Sequence, residues 1–447
     1  MKLKSIRKSD KVRLFGYFLI LIFSGTLLLS LPIAWGGTER LKTIDCLFTA
    51  TSAVCVTGLI TVDTAKYTLL GKITILLLIQ AGGLGIISFS TIYIILPRKR
   101  ISLTNRKAIT AFSLDSIEYE PKTIVGKIIL FTFGVELMGA ALLYLFFFLS
   151  GKQFPVFISI FHSVSAFCNA GFSLFTDNFE GFIANPGICI VLSLLIILGG
   201  LGFIVLLDVE RTVLKKKRRI SYHSKIVLLV TVSLITASTL FFLLFESNHS
   251  LRGLPLGQKF LASYFQAVTP RTAGFNTIPQ TNLSFPSKLF TLPLMFIGAS
   301  PGSSAGGIKI TTFFLVFLLV TRDRDSRDEM LLFKRKISPQ TLSNALVFTI
   351  RAFLILFISI FLLVITEHLS QSESTNPFFP LLFESFSAFG TVGLSLNTTF
   401  HLSAAGKIVI ILTMFAGRVG MISMAMGRAH SISPSHIDYP REEVLIG

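Results

Sequence analysis

The sequence has few charged residues, and acidic residues are fewer than basic ones. Only 14% of its 447 residues are charged, with 23 acidic and 41 basic side chains and a formal net charge of +18. A typical soluble domain is about one quarter charged. In contrast, 52% of the chain is hydrophobic and 44 residues are Phe. This composition excludes an ordinary soluble enzyme and indicates an integral membrane protein.

The sequence also lacks the residue groups that carry enzymatic or metal chemistry. Its four cysteines form no C-x-x-C pair, and its seven histidines do not have the spacing of zinc ligands. The apolar segments contain no paired carboxylates and no Ser/His set. We therefore expect no disulfide, no resident metal, no covalently bound cofactor and no enzyme active site.

Long hydrophobic runs make up most of the chain. A helix of about 20 apolar residues crosses the bilayer core of about 30 Å. Eight runs are long enough, although the run 289–320 is interrupted in its middle. The other seven are 14–33, 73–96, 128–149, 188–207, 226–245, 345–365 and 408–426. The first run is too long for a secretory signal and lacks a clear cleavage site, so we expect it to be retained.

Basic residues cluster in a few connections between these runs. They concentrate at the N-terminus and in segments 97–107, 210–225 and 321–336. Such clusters mark the cytoplasmic side of membrane proteins. The pattern predicts cytoplasmic N- and C-termini. The membrane also accounts for the positive charge, so we expect a lipid bilayer environment and no nucleic-acid partner.

Consecutive basic loops are separated by two spans, which predicts four units in one orientation. The predicted units are residues 1–97, 98–209, 210–322 and 323–447. Between its two spans, each unit has an apolar stretch that is too short to cross the bilayer and suits a re-entrant half-helix. These stretches are 45–53, 154–166, 259–269 and 376–388. The predicted fold is all-α, with eight spans and four half-helices around one central pore.

The loops after the half-helices align without gaps as AVCVTGL (53–59), AFCNAGF (166–172), TPRTAGF (269–275) and AFGTVGL (388–394). A second Gly-containing motif follows in each unit. Its first glycine lies 24, 28, 24 and 24 residues after the loop glycine in the four units, in chain order. Helix packing explains the downstream glycines taken one at a time. It does not explain the upstream loops.

Non-helical backbone at membrane depth must be buried in protein or line an aqueous path. Four such loops around one axis can present rings of carbonyl oxygens that replace the water shell of a monovalent cation. Glycine suits them because it adopts positive φ without strain. The loops contain no Asp or Glu, which favours K⁺ over Ca²⁺. The predicted ion-binding residues are Val56, Thr57, Gly58, Asn169, Ala170, Gly171, Thr272, Ala273, Gly274, Thr391, Val392 and Gly393.

These loops resemble the four filter loops of the Trk/Ktr/HKT superfamily of K⁺ transporters, and TPRTAGF (269–275) and SAFGTVGLS (387–395) are specific motifs. The match runs along essentially the whole chain. The chain is most similar to the membrane subunit of bacterial Ktr systems. The resemblance implies a homodimer with one pore per protomer in the bacterial cytoplasmic membrane. It also implies a cytosolic ring of nucleotide-binding RCK subunits that gates the pore, and transport that is often stimulated by Na⁺.

The interrupted run contains GASPGSSAGGIK (298–309), whose Pro and Gly residues disfavour a helix. A packing kink would explain it. The alternative is a flexible loop below the filter that obstructs ions, and the resemblance implies a gate at this position. The predicted gate residues are Ser300, Ser303, Ser304, Ala305, Gly306, Gly307 and Arg418. Arg418 is included because a charge near the centre of a span should face the pore or a partner.

Four other charges at membrane depth carry separate expectations. We expect Glu136 and Arg351 to form ion pairs between helices. Glu384 is expected to brace its filter loop from behind, and Arg271 to point away from the axis toward backbone carbonyls. The loop 321–336 mixes acidic and basic residues and is expected to dock the RCK ring, although a merely solvated loop remains open.

Two alternatives to selective K⁺ uptake remain. One is the ion-binding subunit of a P-type K⁺ pump, which shares the four-unit plan but should be longer. The other is a Na⁺-permeable member of the superfamily. A glycine in all four loops is, in this superfamily, associated with K⁺ selectivity.

Overall fold

A computed structural model describes residues 2–95, 121–151, 156–214, 219–321, 330–332, 335–370 and 378–420. The basic segment 97–107 and most of the mixed-charge segment 321–336 lie outside these residues. Fourteen α-helices are present in the described part. They are α1 (Lys2–Leu29), α2 (Thr43–Val54), α3 (Leu69–Ile95), α4 (Pro121–Leu149), α5 (Val156–Phe167), α6 (Pro186–Leu201), α7 (Phe203–Val213), α8 (Tyr222–Glu246), α9 (Leu256–Val268), α10 (Phe285–Phe296), α11 (Ile310–Thr321), α12 (Pro339–Ser370), α13 (Phe378–Gly390) and α14 (Ala404–Phe415).

Shorter elements complete the described structure. Single 3-10 turns occupy Pro32–Ala34, Thr64–Lys66, Glu180–Phe182, Gln280–Asn282 and Thr399–His401. A π-helical turn, Ala416–Gly420, follows α14. Two three-residue strands, Met330–Leu332 and Arg335–Ile337, pair antiparallel between α11 and α12. This hairpin is an addition to the all-α prediction, and it lies in the segment expected to dock a partner.

Five described helices are long and apolar enough to cross a bilayer, in Val12–Leu29, Leu69–Phe89, Val125–Leu149, Tyr222–Glu246 and Pro339–Leu369. The other three predicted spans are interrupted. The run 188–207 is bent by 102° between α6 and α7. The run 289–320 is broken between α10 and α11, and 408–426 enters a π turn before the described part ends. The prediction of an unbroken span at 188–207 was therefore wrong.

The four short helices α2, α5, α9 and α13 occupy the positions of the predicted half-helices, and each follows a long helix. Each packs against the long helix that precedes it in sequence. The helices form four groups in chain order, α1–α3, α4–α7, α8–α11 and α12–α14, and each short helix also packs against a helix of a neighbouring group. These second contacts are α3 with α5, α6 with α9, α10 with α13, and α14 with α2. The contact of α14 with α2 joins the two ends of the chain, so the helices close into a ring.

The downstream glycines let these helices approach closely. A methyl group added to Gly82, Gly199 or Gly417 would overlap a backbone carbonyl at the C-terminal end of a short helix. The three carbonyls belong to Val54, Phe167 and Phe389, each four residues before a loop glycine. The packing explanation considered for these glycines is therefore correct at three of the four sites.

Candidate functional site

The loops that follow the four short helices meet one another in a closed cycle. Each loop glycine lies against the carbonyl group that immediately precedes the glycine of the next loop, and the fourth lies against the first. A methyl group added to Gly58 would meet the carbonyl of Ala170, at Gly171 that of Ala273, at Gly274 that of Val392, and at Gly393 that of Thr57. No side chain larger than hydrogen fits these four positions without displacing backbone.

The backbone of all four loops alternates between two conformations. The four glycines have φ between +68° and +93°. Two residues earlier, Val56, Asn169, Thr272 and Thr391 also have positive φ, between +50° and +71°. Non-glycine residues rarely adopt this region, and β-branched ones such as Val and Thr do so at a cost of about 1–3 kcal/mol each. Left-handed residues at alternate positions turn successive carbonyls in similar directions, which an ordinary extended strand does not do.

A serine side chain fixes this conformation in three loops. The hydroxyl of Ser52 accepts a hydrogen bond from the Gly58 N–H at 3.0 Å, and that of Ser387 accepts one from Gly393 at 3.1 Å. Ser165 uses the same position to donate to the Phe172 carbonyl at 2.8 Å. In the third loop, Thr269 donates to the carbonyl of Phe275 instead. Sequence reasoning missed these residues, although a serine six residues before the glycine recurs in three of the four loops.

The twelve predicted ion-binding residues are therefore brought together. Eleven are buried, and Gly393 is half-buried. The hydroxyls of Thr57, Thr272 and Thr391 are buried without a hydrogen-bond partner among the described residues. Buried polar atoms in that state call for water or a ligand.

The predicted helix break below this ring is present. Helix α10 ends at Phe296 and α11 begins at Ile310. At the neck of the intervening loop, Gly298 N–H donates to the carbonyl of Ile308 at 2.8 Å, and Ile308 N–H donates to that of Phe296 at 3.2 Å. The chain thus leaves the helix, forms a loop and returns to almost the same place, which a simple kink would not do.

The loop is hydrogen-bonded to the bend between α6 and α7. The N–H groups of Ser300 and Ser304 donate to the carbonyls of Gly200 and Gly199, at 3.0 and 3.3 Å. In return, Phe203 N–H donates to the Gly302 carbonyl at 3.2 Å. Ending α6 at Leu201 frees the carbonyls that a continuous helix would use internally. The bend and the loop therefore satisfy each other's backbone groups.

The loop also contacts the ring and the end of the fourth group. A methyl group on Gly306 would overlap the side chain of Thr391. The guanidinium of Arg418 donates to the carbonyl of Ser304, and its Nε and Nη2 have no partner in the described structure. Lys309 Nζ donates to the Ala305 carbonyl at 2.6 Å. Lys309 was not among the predicted gate residues, although it is the one basic residue within the interrupted run.

The remaining charges at membrane depth differ in outcome. Glu384 accepts hydrogen bonds from Ser395 and Thr399, beyond the fourth loop, as a brace would. Arg271 Nη2 is directed to the Thr231 hydroxyl at 3.5 Å, on helix α8, rather than to backbone carbonyls. Arg351 is exposed on α12.

The ion pair predicted for Glu136 was wrong for the described part of the chain. Its carboxylate accepts from Gln80 Nε2 at 3.0 Å and from the Cys168 thiol at 3.8 Å. One buried carboxylate that does pair with a cation is Asp45, whose Oδ1 lies 2.7 Å from Lys407 Nζ. This pair joins α14 to α2, where the ring of helices closes.

Comparison with known proteins agrees with this architecture. Residues 8–437 match the model of the TrkH family, described as cation transport proteins. This chain belongs to that family. It is 39% identical over 97% of its length to the Ktr system potassium uptake protein B of Bacillus subtilis, of which the match covers 95%.

Two further relatives extend the comparison. The potassium/sodium uptake protein NtpJ of Enterococcus hirae is 34% identical, with 97% of this chain and 96% of that protein covered. The crystal structure of the potassium transporter TrkH from Vibrio parahaemolyticus superposes with a TM-score of 0.70, covering 92% of this chain and 84% of that one at 18% identity. The chain is thus a multi-pass membrane protein of an ion-transport family rather than an enzyme, and the resemblance to the Trk/Ktr superfamily is confirmed.

Proposed function

We propose that this chain is the ion-conducting membrane subunit of a potassium uptake system of the Ktr type. The observation that carries the proposal is the closed cycle of four loop glycines, each against a carbonyl of the next loop. Relatives at 34–39% identity and nearly full length are named for potassium uptake or potassium/sodium uptake.

In this proposal, four repeats of span, half-helix, loop and span surround one pore. Carbonyl groups of the three residues ending in each loop glycine replace the water shell of K⁺. The C-terminal ends of the four short helices point toward the loops, and their partial negative charge favours a cation there. The threonine hydroxyls without partners offer further oxygens beside the ring.

The loop between α10 and α11 serves as the gate. It lies against Thr391 of the ring through Gly306 and is held from below by Arg418. Two cations near the path, the buried Arg418 and the half-buried Lys309, would oppose a passing K⁺ electrostatically. Opening requires the loop to move away from the ring and to break its hydrogen bonds to the α6–α7 bend.

The proposal also includes the assembly, regulation and location that the resemblance implies. These are a homodimer, a cytosolic RCK ring that senses nucleotide, stimulation by Na⁺, and a place in the bacterial cytoplasmic membrane with both termini inside. The name of the Enterococcus hirae relative supports the second candidate, a pore that also admits Na⁺. The pump-subunit alternative is not carried forward, because the chain spans at least 95% of the uptake proteins named above.

The test is growth and ion uptake in a bacterium that lacks its own K⁺ uptake systems. The chain is expressed with and without a Ktr-type RCK subunit, in low K⁺, with and without Na⁺. We expect rescue of growth and K⁺ uptake that the RCK subunit increases. A membrane-inserted chain that leaves K⁺ uptake at the level of empty vector would overturn the proposal. Na⁺ uptake equal to K⁺ uptake would favour the second candidate.

A further inference from the structure

Two buried polar side chains occupy equivalent places behind the second and fourth loops. His162 and Glu384 each precede their loop glycine by nine residues, on α5 and α13. Both are 0% exposed. Neither belongs to the residues proposed to contact the ion. Fully buried polar groups at membrane depth are costly unless they are well paired, so their partners indicate their role.

His162 holds the backbone just beyond the second loop. Its Nδ1 lies 2.8 Å from the carbonyl of Ile158, which can only accept, so Nδ1 carries the proton. Its Nε2 then accepts from the N–H of Leu174 at 3.1 Å and from the hydroxyl of Ser173, 3.2 Å away. The ring stacks on Phe175 with centroids 4.8 Å apart. The imidazole therefore connects the short helix to the two residues after Phe172.

Glu384 makes the matching connection in the fourth group. Its Oε1 accepts from the hydroxyl of Ser395, and its Oε2 accepts from that of Thr399 at 2.9 Å. Ser395 and Ser173 both follow their loop glycine by two residues. The two groups thus use different side chains, a carboxylate and a neutral imidazole, to accept a hydrogen bond from a serine at the same place.

In the other two groups, the residue nine before the loop glycine makes no hydrogen bond to the residue two beyond it, although in the third group the neighbouring Gln266 is hydrogen-bonded to Gln280 at 3.0 Å. The residue nine before Gly58 is Thr49, whose hydroxyl meets Tyr67 at 3.3 Å. The residue nine before Gly274 is Phe265, and the polar residue after that loop, Asn276, donates to Glu180 at 2.7 Å instead. Because the loops contact one another in chain order, the second and fourth loops lie opposite each other in the cycle. The two connections form an opposed pair.

We propose that His162 and Glu384 are positioning residues that hold the outer ends of two opposed filter loops and thereby set the discrimination of K⁺ over Na⁺. The proposal rests on the ion-conducting function given above. In the cavity-size account of selectivity, a ring of carbonyls favours the larger ion because its oxygens are kept from closing around the smaller one. Fixing the residue two beyond the glycine in both loops limits that movement without placing any side chain on the axis.

The test compares His162→Leu and Glu384→Leu with the conservative His162→Gln and Glu384→Gln. Competitive K⁺ and Na⁺ uptake is measured in cells, with the amount of protein in the membrane quantified for each variant. We expect each Leu variant to retain K⁺ uptake while its K⁺/Na⁺ ratio falls about tenfold, the equivalent of about 1.4 kcal/mol. The Gln variants keep an acceptor for the serine hydroxyl and should recover most of the ratio. A purely structural role would lower the amount of protein and both fluxes together.

Phe265→Leu provides the matched control, because Phe265 occupies the same position without a polar contact and should leave the ratio unchanged. If a Leu variant does not accumulate, Ser173→Ala and Ser395→Ala each remove one of the two hydrogen bonds that the loop side donates to His162 or Glu384, and should lower the ratio. Unchanged ratios in the serine variants, with the wild type transporting K⁺, would overturn the positioning role alone. A wild-type chain without K⁺ uptake would overturn the proposed function and the positioning role with it.

Discussion

The guanidinium of Arg418 donates a hydrogen bond to the carbonyl oxygen of Ser304, and both residues are buried. Arg418 belongs to the π turn that ends α14, whereas Ser304 is at the centre of the loop between α10 and α11. This contact joins the loop of the third group to the last helix of the fourth. We call this contact the latch. A substitution at Arg418 changes its strength without altering the residues of the loop.

Removing the latch should open the proposed gate. Arg418→Gln loses the charge-assisted hydrogen bond, which contributes about 1.5–3 kcal/mol. We expect K⁺ uptake to rise in the absence of the RCK subunit and to depend less on its nucleotide. Arg418→Lys, which keeps the charge, should change uptake less. Unchanged basal uptake in a well-expressed Gln variant would contradict a role for this contact in gating.

Substitution of a loop glycine should impair selectivity. In Gly58→Ser, the added side chain overlaps the carbonyl of Ala170, and φ at this position is +93°. We expect the K⁺/Na⁺ uptake ratio to fall by about tenfold or more. Gly134→Ser is the matched control, because nothing lies within 4 Å of a methyl group added to Gly134 on α4. Equal ratios for the two variants would argue against the filter assignment.

The bend at Gly202 should be needed to hold the loop. Gly202 has φ of +81°, and an added methyl group would come within 2.8 Å of the Pro301 carbonyl. Gly202→Ala costs about 1–2 kcal/mol for the left-handed conformation alone. We expect it to loosen the loop and to raise RCK-independent K⁺ uptake. Gly126→Ala, in open space on α4, should not. A Gly202→Ala protein with wild-type basal uptake would show that the bend and the gate are independent.

The ion pair between Asp45 and Lys407 should stabilise the closure of the helix ring. Lys407→Met leaves the buried Asp45 carboxylate without its cation, and breaking such a pair costs up to about 3–5 kcal/mol when fully buried. Both side chains retain slight exposure, so we expect a smaller loss. The measurement is thermal unfolding of the purified protein in detergent. The double variant Asp45→Asn/Lys407→Met should recover part of the loss, and a Lys407→Met protein as stable as wild type would contradict this role.

The local motifs predicted where the loops and the interrupted span lie, because glycine, proline and the length of an apolar run act over neighbouring residues. The bend at Gly202 was not predictable in the same way. Its motif, ILGGLG (197–202), is nearly the same as QAGGLG (80–85), which lies in the unbroken helix α3. The difference is tertiary, since only the former exchanges backbone hydrogen bonds with the loop at Ser300, Gly302 and Ser304.

The sequence also did not allow us to predict which distant residues pair with each other. Glu136 was expected to find a cation, yet it meets Gln80 and Cys168. Asp45 and Lys407, 362 positions apart, carry no local signal that they pair. The recurring serine six residues before the loop glycine was visible in the sequence, but its hydrogen bond depends on the left-handed backbone that only the folded loop shows. Ion selectivity and gating themselves remain predictions.

The cycle of glycines closes between Gly393 and Thr57, near the two ends of the chain. During synthesis the first three loops enter the membrane with one side of the cycle still open, and only the last of the four groups can fill it. A nascent chain released before residue 393 lacks the glycine that lies against the Thr57 carbonyl, so its cycle of contacts cannot close. The order of translation therefore delays closure of this cycle until the fourth loop has been made.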